Sequence, residues 1–296
     1  MSGAHSGTDE KTLAPGLYLV ATPIGNLEDM TLRGLRVLRQ VDRIACEDTR
    51  QTQKLLNHYE IKTPTVSYHM HNEMVRTEEL TAELKAGGRI AVVSDAGTPG
   101  IADPGGQIAR AAIAAGVAVY PVPGANAAVS ALIASGLGTE SFTFHGFLPA
   151  KGGARKTLLE GLVRGAAPGQ GPTYVFYEAP HRIVDALADV EAVFGAAQWV
   201  VVGRELTKLH EEFLRGAVGD VRAELAGRAS VRGEMVLMFA LEEAAAAVSE
   251  VSVAAAVAAL VKGEGLVEKD ALKRVARERG MGKSEAYREL QRGRGR

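Results

Sequence analysis

Ile90-Ala91-Val92-Val93-Ser94-Asp95-Ala96-Gly97-Thr98-Pro99-Gly100-Ile101-Ala102-Asp103-Pro104-Gly105-Gly106 opens as an apolar run long enough for a buried strand and too short for a helix. It then breaks into Gly, Pro and Asp. Asp103-Pro104 reads as an N-cap followed by proline at the first helical position, with the helix running to about Ala115. A strand feeding a glycine-rich turn and then a helix is how an α/β sheet presents bare backbone to a ligand at the carboxyl ends of its strands. Gly97 and Gly100 are free to take positive φ, and Asp95 offers a fixed carboxylate.

Working outward, Leu17–Ala21 is a strand running into Thr22-Pro23-Ile24-Gly25-Asn26-Leu27. Thr31 caps a helix with Leu32, Leu35, Leu38 and Val41 on one face. Arg43–Cys46 is a strand ending at Glu47-Asp48-Thr49-Arg50, with Thr49 as the next cap. A strand over Thr65–His69, a helix over Asn72–Ala86 and a strand over Val117–Val122 follow. Pro123-Gly124-Ala125-Asn126-Ala127 then leads into a helix that ends at Gly136. Strands alternating with helices at these spacings predict a mostly parallel sheet covered on both faces.

The pattern changes after Gly138. Strands are predicted over Ser141–Phe144, Thr173–Tyr177, Trp199–Gly203 and Gly233–Leu241, the middle two stopping at Glu178-Ala179-Pro180-His181-Arg182 and Arg204-Glu205-Leu206-Thr207-Lys208. Gly146-Phe147-Leu148-Pro149-Ala150-Lys151-Gly152-Gly153 reads as a mobile loop carrying Lys151, Arg155 and Lys156. The expected organisation is a flexible leader over 1–14, an α/β domain over 15–125, a second α/β domain over 126–243 and a basic helical extension over 244–296. In the extension, helices over Ala244–Ala259, Glu268–Glu278 and Lys283–Gln291 are predicted. The last two are joined by Arg279-Gly280-Met281-Gly282, which reads either as a helix-turn-helix or as a hairpin packing on the body.

Composition sets the class. Across 296 residues the chain is 46% hydrophobic with a formal net charge of −1, which describes a globular protein with ample core-forming material. No run of eighteen apolar residues is present to span a membrane. The Gly/Ser/Asp-rich start, Met1–Glu10, lacks the apolar stretch of a signal peptide. One cysteine, Cys46, excludes an internal disulfide and a Cys-based zinc cluster, and the seven histidines fall into no ligand spacing. A cytoplasmic, metal-free protein is expected. From Lys262 to Arg296, eleven Lys and Arg face six Asp and Glu, either a solvated end or a nucleic-acid contact.

Five charged or glycine-rich segments follow predicted strands directly, at 22–27, 47–50, 95–100, 178–182 and 204–208. In a parallel sheet such segments share an edge, where sites form. The dinucleotide fingerprint, the Walker A loop and the Gly-x-Ser-x-Gly elbow are all absent. The loops therefore point to a ligand held by backbone and carboxylates. Each acid also has a plain reading: Glu47 and Asp48 as caps, Arg204-Glu205 as a local ion pair, Glu178 as part of a turn before Pro180.

With Ala21–Leu27, Glu47–Arg50, Ser94–Pro99, Gly146–Pro149, Arg204–Lys208 and Gly233-Glu234-Met235-Val236 in that order, the chain resembles the tetrapyrrole-methylase-type family of S-adenosylmethionine-dependent methyltransferases over roughly 16–241. More narrowly, it resembles the branch that 2′-O-methylates a cytidine in the decoding region of 16S rRNA in the small ribosomal subunit. The resemblance implies two α/β domains with S-adenosyl-L-methionine folded into the cleft between them, and a homodimer. It implies cofactor contacts at Pro23, Ile24, Gly25, Ser94, Asp95, Gly97, Thr98, Asn126, Ala127, Tyr177, Glu178, Glu234 and Met235. Porphyrin and corrin methylases carry a Gly-Pro-Gly-Asp-Pro-like first loop, and Thr22–Leu27 stands in its place here. That change and the basic extension favour RNA over the alternative substrate, a tetrapyrrole-like small molecule, and the intact loops speak against a binding factor without catalysis.

Displacing a methyl group onto a ribose hydroxyl requires alignment and a proton acceptor. The expected catalytic group set is Asp48, Arg50, Glu178, His181, Arg204 and Glu205. Lys151, Arg155, Lys156, Arg182, Lys208, Lys283 and Arg288 are expected to hold RNA phosphates.

Overall fold

The computed structural model describes residues 12–165, 171–241, 253–264, 266–278, 286–288 and 290. Residues 12–165 and 172–240 gather into one compact unit, and the C-terminal segment into a second.

Among the described residues, ten strands and eight α-helices make up the first unit's sheets and their cover. The first half runs β1 (Gly16–Val20), α1 (Leu32–Gln40), β2 (Arg43–Cys46), α2 (Thr49–His58), β3 (Thr65–Ser67), α3 (Glu73–Lys85), β4 (Arg89–Val93), α4 (Gly106–Ala114), β5 (Val119–Val122) and α5 (Ala127–Ser135). Its five strands form one parallel sheet in the order β3-β2-β4-β1-β5. Alternate residues of each strand serve opposite faces. Tyr18, Val20, Ile44, Cys46, Ala91 and Val93 pack under Val37, Leu38 and Leu56 of α1 and α2. Leu17, Ala45, Ile90 and Val92 pack under Leu80, Leu84, Ile108 and Ala112 of α3 and α4. A sheet buried on both faces reads as continuous apolar sequence, which is why Ile90–Val93 carried no alternation. Each such buried Val or Ile contributes roughly 1.5–3 kcal/mol relative to exposure.

The second half runs β6 (Phe142–Phe147), α6 (Gly152–Gly165), β7 (Thr173–Glu178), α7 (Ile183–Phe194), β8 (Trp199–Arg204), β9 (Glu212–Ala217), α8 (Val218–Ala226) and β10 (Met235–Ala240). This sheet is mixed, in the order β6-β7-β10-β8-β9, and only β6 and β7 pair in parallel. Ala128, Ala131 and Leu132 of α5 cover one face together with Ile24, which reaches in from the loop after β1. Because β10 is antiparallel to both β7 and β8, the ends of β7 and β8 and the start of β10 meet at one edge: Met235 lies opposite both Glu178 and Arg204.

Several expectations change. The loop segments belong to the edges of two sheets, not one. Asp103 does not cap a helix. The loop continues through Ala102 at φ 60°, the Gly100 amide donates to the Pro104 carbonyl at 3.1 Å, and α4 starts only after Gly105 at φ 134°. Asp48, not Thr49, caps α2, its Oδ1 accepting the Arg50 amide at 2.8 Å. Arg155 and Lys156 sit on α6 rather than in a mobile loop. Strand β9 and helix α8 were not anticipated.

In the second unit, α9 (Val253–Glu264) and α10 (Glu268–Glu278) share a small core of Val257, Ala271, Val275 and Leu290, with residues 286–288 helical. Most of the helix expected over Ala244–Ala259, the turn at 279–282 and Lys283 lie outside the described residues. No helix among the described residues is long and apolar enough to cross a membrane.

Candidate active site

The loops after β1 and β4 are stapled together. Thr22 and Gly97 exchange backbone hydrogen bonds of 2.9 and 3.0 Å, and the Thr22 hydroxyl donates to the Ser94 carbonyl. Ser94 is buried and donates its hydroxyl to the Gly97 carbonyl at 3.0 Å, which fixes the turn from beneath. Gly97 takes φ +83°, where a Cβ would lie 3.2 Å from Ile24. On the other flank, Asn126 caps α5 by accepting the Val129 amide and donates to the Thr98 hydroxyl, which in turn donates to the Ala125 carbonyl. The Asp48 amide donates to Asp95 Oδ1 at 3.1 Å and so aims that carboxylate. Three strand ends and one helix start are thus bound into one scaffold.

That scaffold and the β7/β8/β10 edge enclose a cavity of about 380 Å³. Ile24, Asp95, Gly97, Thr98, Ala127, Tyr177, Glu178, Glu234 and Met235 line it, as do Ala96 and Val236. Four residues expected at the ligand stand behind the wall. Ser94 and Asn126 brace the loops as described, while Pro23 and Gly25 flank Ile24 without lining the cavity. Gly25 is pressed against the 204–208 loop, where a Cβ would come within 2.4 Å of Lys208 Cγ and 2.9 Å of the Leu206 carbonyl oxygen.

Of the residues expected to be catalytic, Glu178 lines the cavity, while Asp48, Arg204 and Glu205 are held in ion pairs. Asp48 pairs with Arg50 at 2.8 Å, and this partner holds its carboxyl down at about 2. Arg50 itself is exposed. Glu178 has a fully buried side chain that accepts the Ala179 amide at 2.8 Å and pairs with Arg182 at 3.2 Å. Burial raises its pKa, and the amide and Arg182 oppose that rise. His181 is exposed and outside the cavity lining. Arg204 pairs with Glu212, which the β8–β9 register places directly opposite, and donates to the carbonyls of Arg232 and His210. Glu205, at φ 52°, accepts from Lys208 at 2.9 Å and from the Glu234 amide, and Lys208 holds its pKa low. Lys208 also pairs with Glu234 at 3.0 Å.

The cations expected at RNA divide by burial. Arg155 is buried with its guanidinium 2.6 Å from Asp189, so it braces α6 against α7 and is not on a surface that an RNA backbone meets. Arg182 is held by Glu178 and the Leu148 carbonyl. Lys151 is exposed, and Lys156 is half-exposed at 3.4 Å from Asp189. Arg288 is exposed beside Lys269, Lys273 and Tyr287 along a groove of the C-terminal unit.

Sequence reasoning missed Ile101, Ala102, Asp103, Phe147, Ala179, Pro180 and Leu206 in the wall. Asp103 carries the most chemistry. Burial first, then the carboxylates of Glu47, Asp95 and Glu234, push its pKa up to about 6. The same crowding, burial and then Asp95, raises Glu47.

The sequence pattern of the tetrapyrrole (corrin/porphyrin) methylases matches residues 16–222. A protein named ribosomal RNA small subunit methyltransferase I from Halalkalibacterium halodurans is 52% identical over 222 residues, covering 75% of this chain and 74% of the relative. Its namesake from Streptococcus pyogenes serotype M1 is 42% identical over 295 residues, 98% of this chain and 99% of that one. Among solved structures, uroporphyrin-III-C-methyltransferase from Thermus thermophilus superposes with a TM-score of 0.53 at 22% identity, over 76% of this chain and 94% of its own. Diphthine synthase gives 0.56 at 13% identity, over 76% and 89%. These two share the fold.

Proposed function

Because this chain belongs to the ribosomal RNA small subunit methyltransferase I family, within the tetrapyrrole methylases, we propose that it transfers a methyl group from S-adenosyl-L-methionine to the 2′-oxygen of a cytidine in the decoding region of 16S rRNA. The observation that carries this reading is the 52% identity to a named ribosomal RNA methylase over 222 residues, with a second such relative 42% identical over 98% of this chain.

The cavity suits such a cofactor on its own chemistry. Its volume lies in the range of small-ligand sites, and apolar walls with a few convergent polar groups are what those sites use. Ile24, Leu206, Met235 and Val236 would hold the flat apolar end. Asp95, fixed beside the stapled Gly97 turn, would hold the polar end. When bound, the cofactor supplies a methyl group already activated on a sulfonium. The chain's own residues then have to orient the ribose hydroxyl in line, exclude water and take one proton.

The exposed Arg50, Lys151 and Lys156 would meet phosphates, which Lys and Arg contact without reading sequence. Reaching a sugar inside folded rRNA requires drawing the nucleotide partly out of its stack. We read the two sheets as separate lobes of the active unit, with the chain working in the cytoplasm on the small ribosomal subunit. The homodimer is part of the same reading: Met70, Met74 and Val75 leave an exposed apolar face around the start of α3 for a second copy. Light scattering at micromolar concentration tests the dimer. Transfer of labelled methyl groups tests the reaction, with small subunits lacking the modification, naked 16S rRNA and a porphyrinogen offered side by side. Label on the subunits supports the reading. Label on the porphyrinogen alone overturns it.

A further inference from the structure

We propose that Asp103 is the catalytic base that takes the 2′-hydroxyl proton, an assignment that rests on the methyl-transfer reading above. It follows from asking which acceptor in the cavity is available. Asp48 is locked on Arg50 and is too acidic to hold a proton at neutral pH. Glu178 turns its carboxylate toward the Ala179 amide and Arg182, and is fully buried. Glu205 and Glu234 are both tied to Lys208. Asp95 accepts the Asp48 amide and is oriented as a fixed acceptor. His181 does not line the cavity. Asp103 does line it, and takes no hydrogen bond or ion pair from the described residues.

The backbone explains the exposure of this carboxylate to the cavity. Ala102 at φ 60° and Gly105 at φ 134° bracket Asp103, and the Gly100–Pro104 hydrogen bond closes the loop around it. A non-glycine residue in the left-handed region costs energy and recurs where a site needs a side chain aimed in a set direction. The negative charges of Glu47, Asp95 and Glu234 act on the group, and Asp95, Tyr177 and Glu234 line the same cavity. The result is a carboxyl whose pKa of about 6 suits proton transfer near neutrality.

The step balances without a further reactant. The proton passes from the 2′-oxygen to Asp103, the oxygen's electron pair forms the O–C bond to the methyl group, and the C–S bond breaks with its pair remaining on sulfur. A sulfonium and a carboxylate become a thioether and a carboxylic acid, which releases its proton to water.

The test uses the full chain with unmodified small subunits. Asp103→Asn keeps the shape and removes the basicity. Its kcat should fall about 100-fold or more, the usual contribution of a positioned base. KM for subunits and the calorimetric Kd for S-adenosylmethionine should stay within about 3-fold of the unmodified protein, by the same separation of binding from chemistry. The unmodified protein should lose kcat as pH drops through about 6, and the variant should not show that limb. Asp103→Glu should recover part of the rate. An Asn variant with unchanged kcat overturns the assignment, as does one that loses cofactor binding while single-turnover chemistry persists at saturation. If the unmodified protein labels no subunit, the methyl-transfer reading fails first and takes this assignment with it.

Discussion

Arg155 and Asp189 are two charges taken out of water together, with side chains only 6% and 12% exposed. Such a pair contributes little over an apolar substitute, but removing one member strands the other, at a cost of about 3–5 kcal/mol. Lys156, 3.4 Å from Asp189, offsets part of that loss. Arg155→Ala should therefore cost about 3 kcal/mol in urea unfolding, near the lower end of that range. Loss of RNA binding in the folded variant without loss of stability would contradict this. Asp103 gives the opposite sign. Its carboxyl titrates near 6 in the fold and near 3.8 when unfolded, so the folded state holds the proton more tightly. Below about 3.8 both states are protonated and burial of the charge costs nothing. As pH rises through about 6 the folded protein must bury a charge, and stability falls. Asp103→Asn should raise Tm at pH 8, with the gain vanishing by pH 4. A lowered Tm at pH 8 would show that the carboxylate has a stabilising partner. Charged residues at strand ends were legible in the sequence, but their partners were not. Arg204 could be paired with Glu212 only once the β8–β9 register was known.

At the level of elements, apolar runs and turn residues revealed most of the strands, because a sheet buried on both faces leaves continuous hydrophobic sequence. Arg43–Cys46 and Glu268–Glu278 match the observed elements to the residue. Strand β9 escaped because it is an edge strand with one buried residue, Leu214, and so little pattern to read. The Asp103-Pro104 cap failed because that signature is local, while the following pair, Gly105-Gly106, lets the loop run two residues further before α4 begins. The loop after β4 depends on Gly97 in the left-handed region, stapled to Thr22. Gly97→Ala forces a Cβ to within 3.2 Å of Ile24 and costs about 1–2 kcal/mol in backbone strain. Calorimetry should find cofactor affinity reduced at least tenfold in the folded variant, since Ile24 and Gly97 both line the cavity. Unchanged affinity would place the ligand elsewhere.

For the whole molecule, the sequence carried the division into sheets and a basic helical end, whereas the cavity depended on two sheet edges meeting, which no single stretch encodes. The C-terminal unit keeps its own small core and an exposed groove with Lys269, Lys273 and Arg288. Removing residues 262–296 should weaken binding to small subunits and flatten its dependence on salt, since fewer phosphates are neutralised. Cofactor affinity should not change, because none of the described residues in that segment lines the cavity. Full subunit binding by the truncated chain would remove this segment from the RNA contact. The most direct measurement of the central claim is mass spectrometry of nucleosides from unmodified small subunits incubated with this protein and labelled S-adenosylmethionine. 2′-O-methylcytidine is expected as the labelled nucleoside, at a single position. Label on a base, or on no nucleoside while the cofactor still binds, would contradict it.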